Sequence, residues 1–257
     1  MFERLRRARL QHVLFRARIP WHLWQAGTRD ARALAHLDRR ELHRLRRLAS
    51  LFLHEKTISG AQGLVVDDIM RVQIAAQACL LILNLDLAYF RGWVEVILYP
   101  DTFLVDREEY DDSGVVHQAH RALAGESWHR GPVILSWSDA RPGADPHGPE
   151  SNVILHEFAH KLDMLNGTAN GMPALHRGMI RAEWTETLTR AYDHLCHQVD
   201  RHHHTPIDPY ATENPAEFFA VTTEVFFQEP ARLHAAYPDV YRQLSLYFRQ
   251  DPLARLS

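Results

Sequence analysis

Cysteine is scarce in this chain: two residues in 257, Cys79 and Cys196, both in apolar helical stretches. They read as buried, reduced thiols, and a disulfide framework is not expected. Charge of one sign is also lacking. Lys and Arg total 29 against 32 Asp and Glu, a net charge of −3, so no basic field points to nucleic acid. Long apolar runs are absent. The richest, residues 74–83, is interrupted by Gln77 and followed by Asn84 and Asp86. A bilayer span needs about 20 apolar residues, so this stretch reads as a buried core helix and no membrane segment is expected. The basic N-terminus, residues 1–10, is not followed by a long apolar region with a small-residue cleavage site. No secretory signal is read there, and a cytoplasmic location is expected. That segment reads as a solvated basic helix ended at Ile19-Pro20, with Trp21 and Trp24 packing onto the core. No repeat, low-complexity tract or interdomain linker is visible.

What remains is an ordinary globular composition, 46% hydrophobic and 24% charged, long enough for one domain over 1–257. Apolar spacing predicts helices over 38–55, from Asp67 or Asp68 to about 85, over 180–200, over 214–227 and over 238–250. Strand texture is confined to 93–137. Residues 93–99 form the clearest piece before Pro100, and 132–137 the next. Residues 57–63, 106–115 and 141–149 read as loops. This segregation predicts an α+β fold, with a helical part over 1–90 packed on a core over 91–257 that holds a small mixed sheet.

The chemistry centres on His156-Glu157-Phe158-Ala159-His160. Ser151 is a plausible helix cap and Asn166-Gly167 a plausible stop. Val153, Ile154, Phe158, Leu162 and Leu165 recur at helical spacing and should face the core. Residues four apart share a helix face, so both imidazoles can point at one zinc ion, one per chain. Glu157, beside the first ligand, can then reach a water as general base. With 18 histidines in the chain, chance would supply this pattern about 0.08 times, so the helical context carries the weight.

Catalytic zinc usually takes three protein ligands. The longer pattern with a third His fails, because Asp163 and Asn166 stand where Gly and His would be. The candidates are Glu183, Glu186, the run His202-His203-His204, Asp208, Glu213, Glu217 and Glu224. Glu217 is favoured. Asn214 caps its helix, Pro215 takes the first position, and the remainder is apolar, so a carboxylate there needs a partner. The competing role is a capping-box Glu that binds a backbone N–H. Glu224, seven residues on, is either a partner for a ligand histidine or another buried carboxylate. The triple His, and His117 with His120, read as loop decoration.

Residues 156–167, 169–171 and 210–227, with 51–56, 74–81, 99–100 and 131–137, resemble the MtfA (Mlc titration factor A) family of glucose-regulated zinc metallopeptidases. The resemblance covers most of the chain from about residue 45. It implies a zincin-like core of gluzincin type, with His156, His160 and Glu217 as ligands and Glu157 as general base. It further implies that Tyr210 stabilises an oxyanion, and that small peptide substrates are trimmed by aminopeptidase-like cleavage. It also implies an alternative of another class, a binding protein that sequesters a transcriptional repressor, with zinc chiefly structural. In zinc peptidases of this type an edge strand binds the substrate backbone. Residues 131–137 are the candidate for it, with an interior strand as the competing reading.

Overall fold

Side-chain caps set where the helices begin. Asp38 accepts from the backbone N–H groups of Arg40 and Glu41 while Glu41 reaches back to the Asp38 N–H, a full capping box. Asp67 and Asn214 cap two further helices through their side-chain oxygens. The helix bearing the two imidazoles is capped not by Ser151 but by Asn152, whose Oδ1 accepts the Leu155 N–H at 3.1 Å. Either residue type suits that position, and the extended backbone of Asn152 makes it the cap.

The computed structural model describes residues 14–15, 17–101, 103–110, 116–123, 125–127, 131–141, 144 and 151–256, the segments within 103–127 by backbone alone. The basic N-terminal stretch therefore lies outside the described residues. In chain order the elements are α1 (Trp21–Thr28), α2 (Arg39–Glu55), β1 (Thr57–Gly60), α3 (Asp68–Leu81), β2 (Glu95–Tyr99), β3 (Phe103–Tyr110), β4 (Val116–Leu123), β5 (Gly125–Ser127), β6 (Val133–Ser136), α4 (Val153–Asp163), α5 (Arg181–Asp200), α6 (Pro215–Gln228), α7 (Pro230–Ala236) and α8 (Pro238–Phe248). The class is α+β.

One sheet has the order β1-β2-β6-β5, with β1, β2 and β6 parallel and β5 antiparallel on the edge. The parallel β1–β2 pair requires a crossover, which α3 supplies. Helix α3 is apolar nearly all round and is buried accordingly. Among the described residues no helix is long and apolar enough to cross a membrane.

Three expectations change here. Residues 57–60 are a strand, not a loop, because β2 offers a parallel ladder that composition does not reveal. Residues 106–110 belong to β3, which pairs with β4 in a separate two-stranded sheet, setting Asp106 opposite His120 and Glu109 opposite His117. An acidic stretch becomes a strand when a neighbouring strand completes its backbone hydrogen bonds. Within 131–137, β6 is interior, flanked by β2 and β5, so the competing reading holds, and among the described residues the edges of this sheet are β1 and β5. Trp24 is buried as expected, whereas Trp21 is half exposed beneath the Arg46 guanidinium.

The helices α4 and α6 pack on each other, and α3 packs on α4. On the core side of α4, Phe158 meets Phe52, Phe90 and Trp93 at ring-centroid distances of 5.8, 5.3 and 5.8 Å. Such pairs contribute about 0.5–1.5 kcal/mol each beyond area burial and hold the helix rotation. Lys161 donates to the Gly131 carbonyl at 2.9 Å and so ties α4 to the approach to β6. Gly171, at φ +76°, lies where a Cβ would come within 2.5 Å of the Pro215 carbonyl oxygen. Its N–H and that of Asn170 both donate to Asp163 at 2.7 Å. Only glycine permits this close approach, which seats the start of α6 beside the end of α4.

Candidate metal centre

Rotation of α4 about its aromatic face turns His156 and His160 to the opposite side, toward the first turn of α6. There Glu217 projects from the position three residues past the Asn214 cap. Its N–H donates to Asn214 at 3.1 Å, but its carboxylate turns away from the cap and meets the imidazoles. His156 Nε2 lies 2.9 Å from Glu217 Oε2, His160 Nε2 lies 3.3 Å from the same oxygen, and the two Nε2 atoms are 3.1 Å apart. Among the described residues, His156, His160 and Glu217 are the group of His, Cys, Asp or Glu side chains arranged to hold a metal ion.

The tautomer of His156 decides what this cluster wants. Glu224, one face-repeat along α6 from Glu217, sets Oε1 at 2.7 Å from His156 Nδ1. A carboxylate only accepts, so Nδ1 carries the proton and neutral His156 presents a lone pair at Nε2. That lone pair, the His160 nitrogen and the Glu217 carboxylate converge in one small triangle. Three electron-rich atoms at this spacing repel unless a cation or a proton lies between them. Ligands held about 2.0–2.1 Å from a tetrahedral zinc stand about 3.3 Å apart, close to the 2.9–3.3 Å edges seen here. The donor set fits the ion.

The titration directions tell the same story. Burial pushes the His156 pKa down, but the Glu217 and Glu224 carboxylates outweigh it and leave it well above its ordinary 6.5. Burial pushes Glu217 up, but hydrogen bonds from His156 and His160 outweigh it and hold the carboxyl well below the usual range. Glu157 behaves differently: burial dominates and raises its pKa despite the nearby imidazoles. Its Oε2 is buried without a hydrogen-bond partner. Buried unpartnered carboxylate oxygens are costly, so this one marks a place where a proton donor is expected.

Tyr210, on the turn Pro209–Thr212, sits with its ring 6.2 Å from the His156 ring and is 47% exposed. The other sequence candidates lie elsewhere. Glu186 pairs with Arg190 on the surface, Asp208 caps the Tyr210 turn, and Glu183 and Glu213 are exposed. His202, His203 and His204 are exposed and join no metal-holding group among the described residues. One connection escaped the sequence. Asn152 donates its backbone N–H to Glu224 Oε2 and its Nδ2 to Gln77 Oε1, the latter at 2.6 Å. It lies 75 residues from Gln77, and nothing local marks that pairing.

Two histidines and a carboxylate on facing helices, with a spare buried carboxylate beside them, describe a metallopeptidase of the H-E-x-x-H kind. Residues 2–249 match the glucose-regulated metallo-peptidase M90 family, and the chain belongs to it. It is similar to Mlc titration factor A of Pectobacterium atrosepticum, at 39% identity over 236 residues, covering 91% of this chain and 88% of that protein. It is also similar to Mlc titration factor A of Yersinia enterocolitica, at 36% identity over 253 residues, covering 93% of each.

Proposed function

We propose that the chain is a zinc-dependent peptidase, a single zincin-like domain in which His156, His160 and Glu217 hold one ion. The observation that carries this reading is the convergence of three electron-rich donors beside an unpartnered Glu157 oxygen. When bound, the ion supplies a Lewis acid for a peptide carbonyl and lowers the pKa of a water. Glu157 takes the proton of the attacking water and passes it to the leaving amine. Burial raises its basicity above that of an exposed carboxylate, which suits both transfers. The Tyr210 phenol donates to the carbonyl oxygen as charge develops there. Glu224 holds the His156 ring with Nδ1 protonated, fixing the nitrogen that faces the ion. Among the described residues β5 ends its sheet, and its edge offers an extended peptide a backbone ladder close to α4.

Small peptides trimmed from the amino end are the substrate class this reading favours. The test is Glu157→Gln. The variant is expected to bind one zinc per chain and to lose at least about 100-fold in turnover. Undiminished turnover would remove Glu157 from the chemistry.

A second reading is a partner-binding role, supported by the names of the relatives, which describe titration of Mlc. Capture of a transcriptional repressor, unchanged by His156→Ala, would support binding independent of the metal centre. The intact Glu157 favours the enzyme, because a structural metal site has no use for that base.

A further inference from the structure

A cavity of about 380 Å³ lies at the ends of both site-bearing helices, lined by Asn152 and Val153 at the start of α4 and by Gln228 at the end of α6. Two glutamines one turn apart on α3, Gln73 and Gln77, also line it, and they are only 4% and 5% exposed. Their orientations follow from their neighbours. Gln73 Nε2 donates to the Ala140 carbonyl at 2.6 Å, which leaves its Oε1 as a spare acceptor. Asn152 uses Oδ1 to cap Leu155, so it donates Nδ2 to Gln77 Oε1, which leaves the Gln77 Nε2–H donors spare. Neither spare group has a protein partner among the described residues. Gln228 Oε1 is also unpartnered but is closed off from solvent, whereas the two spare groups on α3 are open to the cavity. Polar groups open to a cavity of this size are completed by water or by the polar atoms of a ligand.

We propose that this cavity binds a small zwitterion of the amino-acid or dipeptide class, and that its occupancy is read by the metal centre. The acceptor at Gln73 suits an ammonium or a peptide N–H, and the donor at Gln77 suits a carboxylate or a peptide carbonyl. The rim carries charges of both signs, Asp30 and Arg141, as a zwitterion requires. The volume lies at the small end of ligand sites. The connection to the ion is continuous. Gln77 holds Asn152, the Asn152 N–H donates to Glu224, and Glu224 holds His156 Nδ1 at 2.7 Å. A ligand that accepts from Gln77 Nε2 repositions that amide and, through it, the carboxylate that orients His156. Coupling between two sites is reciprocal, so metal loading changes ligand affinity by the factor by which the ligand changes metal affinity. Amino acids and dipeptides are also the products of the proposed peptidase, and that link rests on the peptidase reading; the cavity does not, and its coupling rests only on metal binding.

Isothermal titration of the metal-stripped, full-length chain with glycine, L-alanine and L-alanyl-L-alanine tests the site without turnover, and so separates its failure from failure of the peptidase reading. One saturable site is expected for at least one probe, weakened at least about tenfold by Gln73→Leu and by Gln77→Leu in chains that keep the wild-type circular dichroism. Zinc affinity, measured against a chromophoric chelator, should shift when that probe is saturating, and the shift should vanish in Gln77→Leu. No saturable heat from any probe would overturn the proposal, as would binding retained in both leucine variants. Saturation by D-glucose alone would overturn the assigned chemistry. Binding without any change in zinc affinity would overturn the coupling.

Discussion

Replacing Glu224 by Gln removes one of two acceptor oxygens while leaving the side chain's shape nearly unchanged. In the native protein one oxygen takes the His156 Nδ1–H at 2.7 Å and the other takes the Asn152 N–H at the head of α4. The amide offers one acceptor and one donor, so one of those two N–H groups must face an NH₂. A hydrogen bond to a charged group contributes about 1.5–3 kcal/mol, and a buried donor left unpaired costs about 1–3 kcal/mol. Rotation of the amide can spare one partner but not both. If His156 loses its partner, the tautomer that presents Nε2 to the ion is no longer fixed, and zinc affinity falls about 10–100-fold, or about 1.4–2.7 kcal/mol. If Asn152 loses its partner, the head of α4 loosens and the metal-free protein loses comparable stability. Chelator competition and chemical denaturation, run on the same preparation, report the two branches. A variant with zinc affinity within twofold of wild type and unchanged metal-free stability would refute the reasoning.

Tyr210→Phe should leave zinc affinity unchanged and lower kcat about 100-fold, since only the developing oxyanion loses a donor; steady-state kinetics on any cleaved peptide would expose an unaffected kcat. The apparent zinc affinity should rise with pH through the elevated His156 pKa, because a proton competes with the ion for the same nitrogen. Stability of the metal-free protein runs the other way. The raised His156 pKa contributes stability that is fully present below about pH 6.5 and lost as pH rises through the folded value. The depressed Glu217 pKa contributes stability present above about pH 4.5 and lost on acidification below it. Denaturation of the stripped protein across pH 4–9 checks both limbs, and a stability that rises steadily with alkali would contradict them. Phe158→Ala should cost about 3–5 kcal/mol in denaturant unfolding, because the ring is fully buried among three aromatics.

The readable and unreadable parts of this protein divide along sequence distance. His156 and His160 share one helix, so a four-residue spacing placed them on one face, with Glu157 adjacent to the first. Glu217 was legible because a capped, apolar helix left its carboxylate needing a partner, although the cap role competed until the geometry turned the side chain to the imidazoles. Glu224 was legible as a position but not as a role, since its two donors lie on another helix. The pairing of Gln77 with Asn152 was invisible for the same reason. The strands failed in the same way. Residues 57–60 and 106–110 have little strand texture of their own, and each becomes a strand through a neighbour that supplies the ladder. Residues 131–137 read as a strand, but whether a strand lies inside a sheet or on its edge depends on β5, which is only three residues long.

The most direct test of the account is cleavage of a mixed peptide pool by the zinc-loaded protein, read by mass spectrometry beside Glu157→Gln loaded with the same metal. Products from the wild type alone, with residues lost successively from amino ends, are the predicted result. Silence from both proteins with zinc confirmed at one per chain, or equal cleavage by both, would contradict the claim that His156, His160 and Glu217 serve a hydrolytic centre with Glu157 as its base.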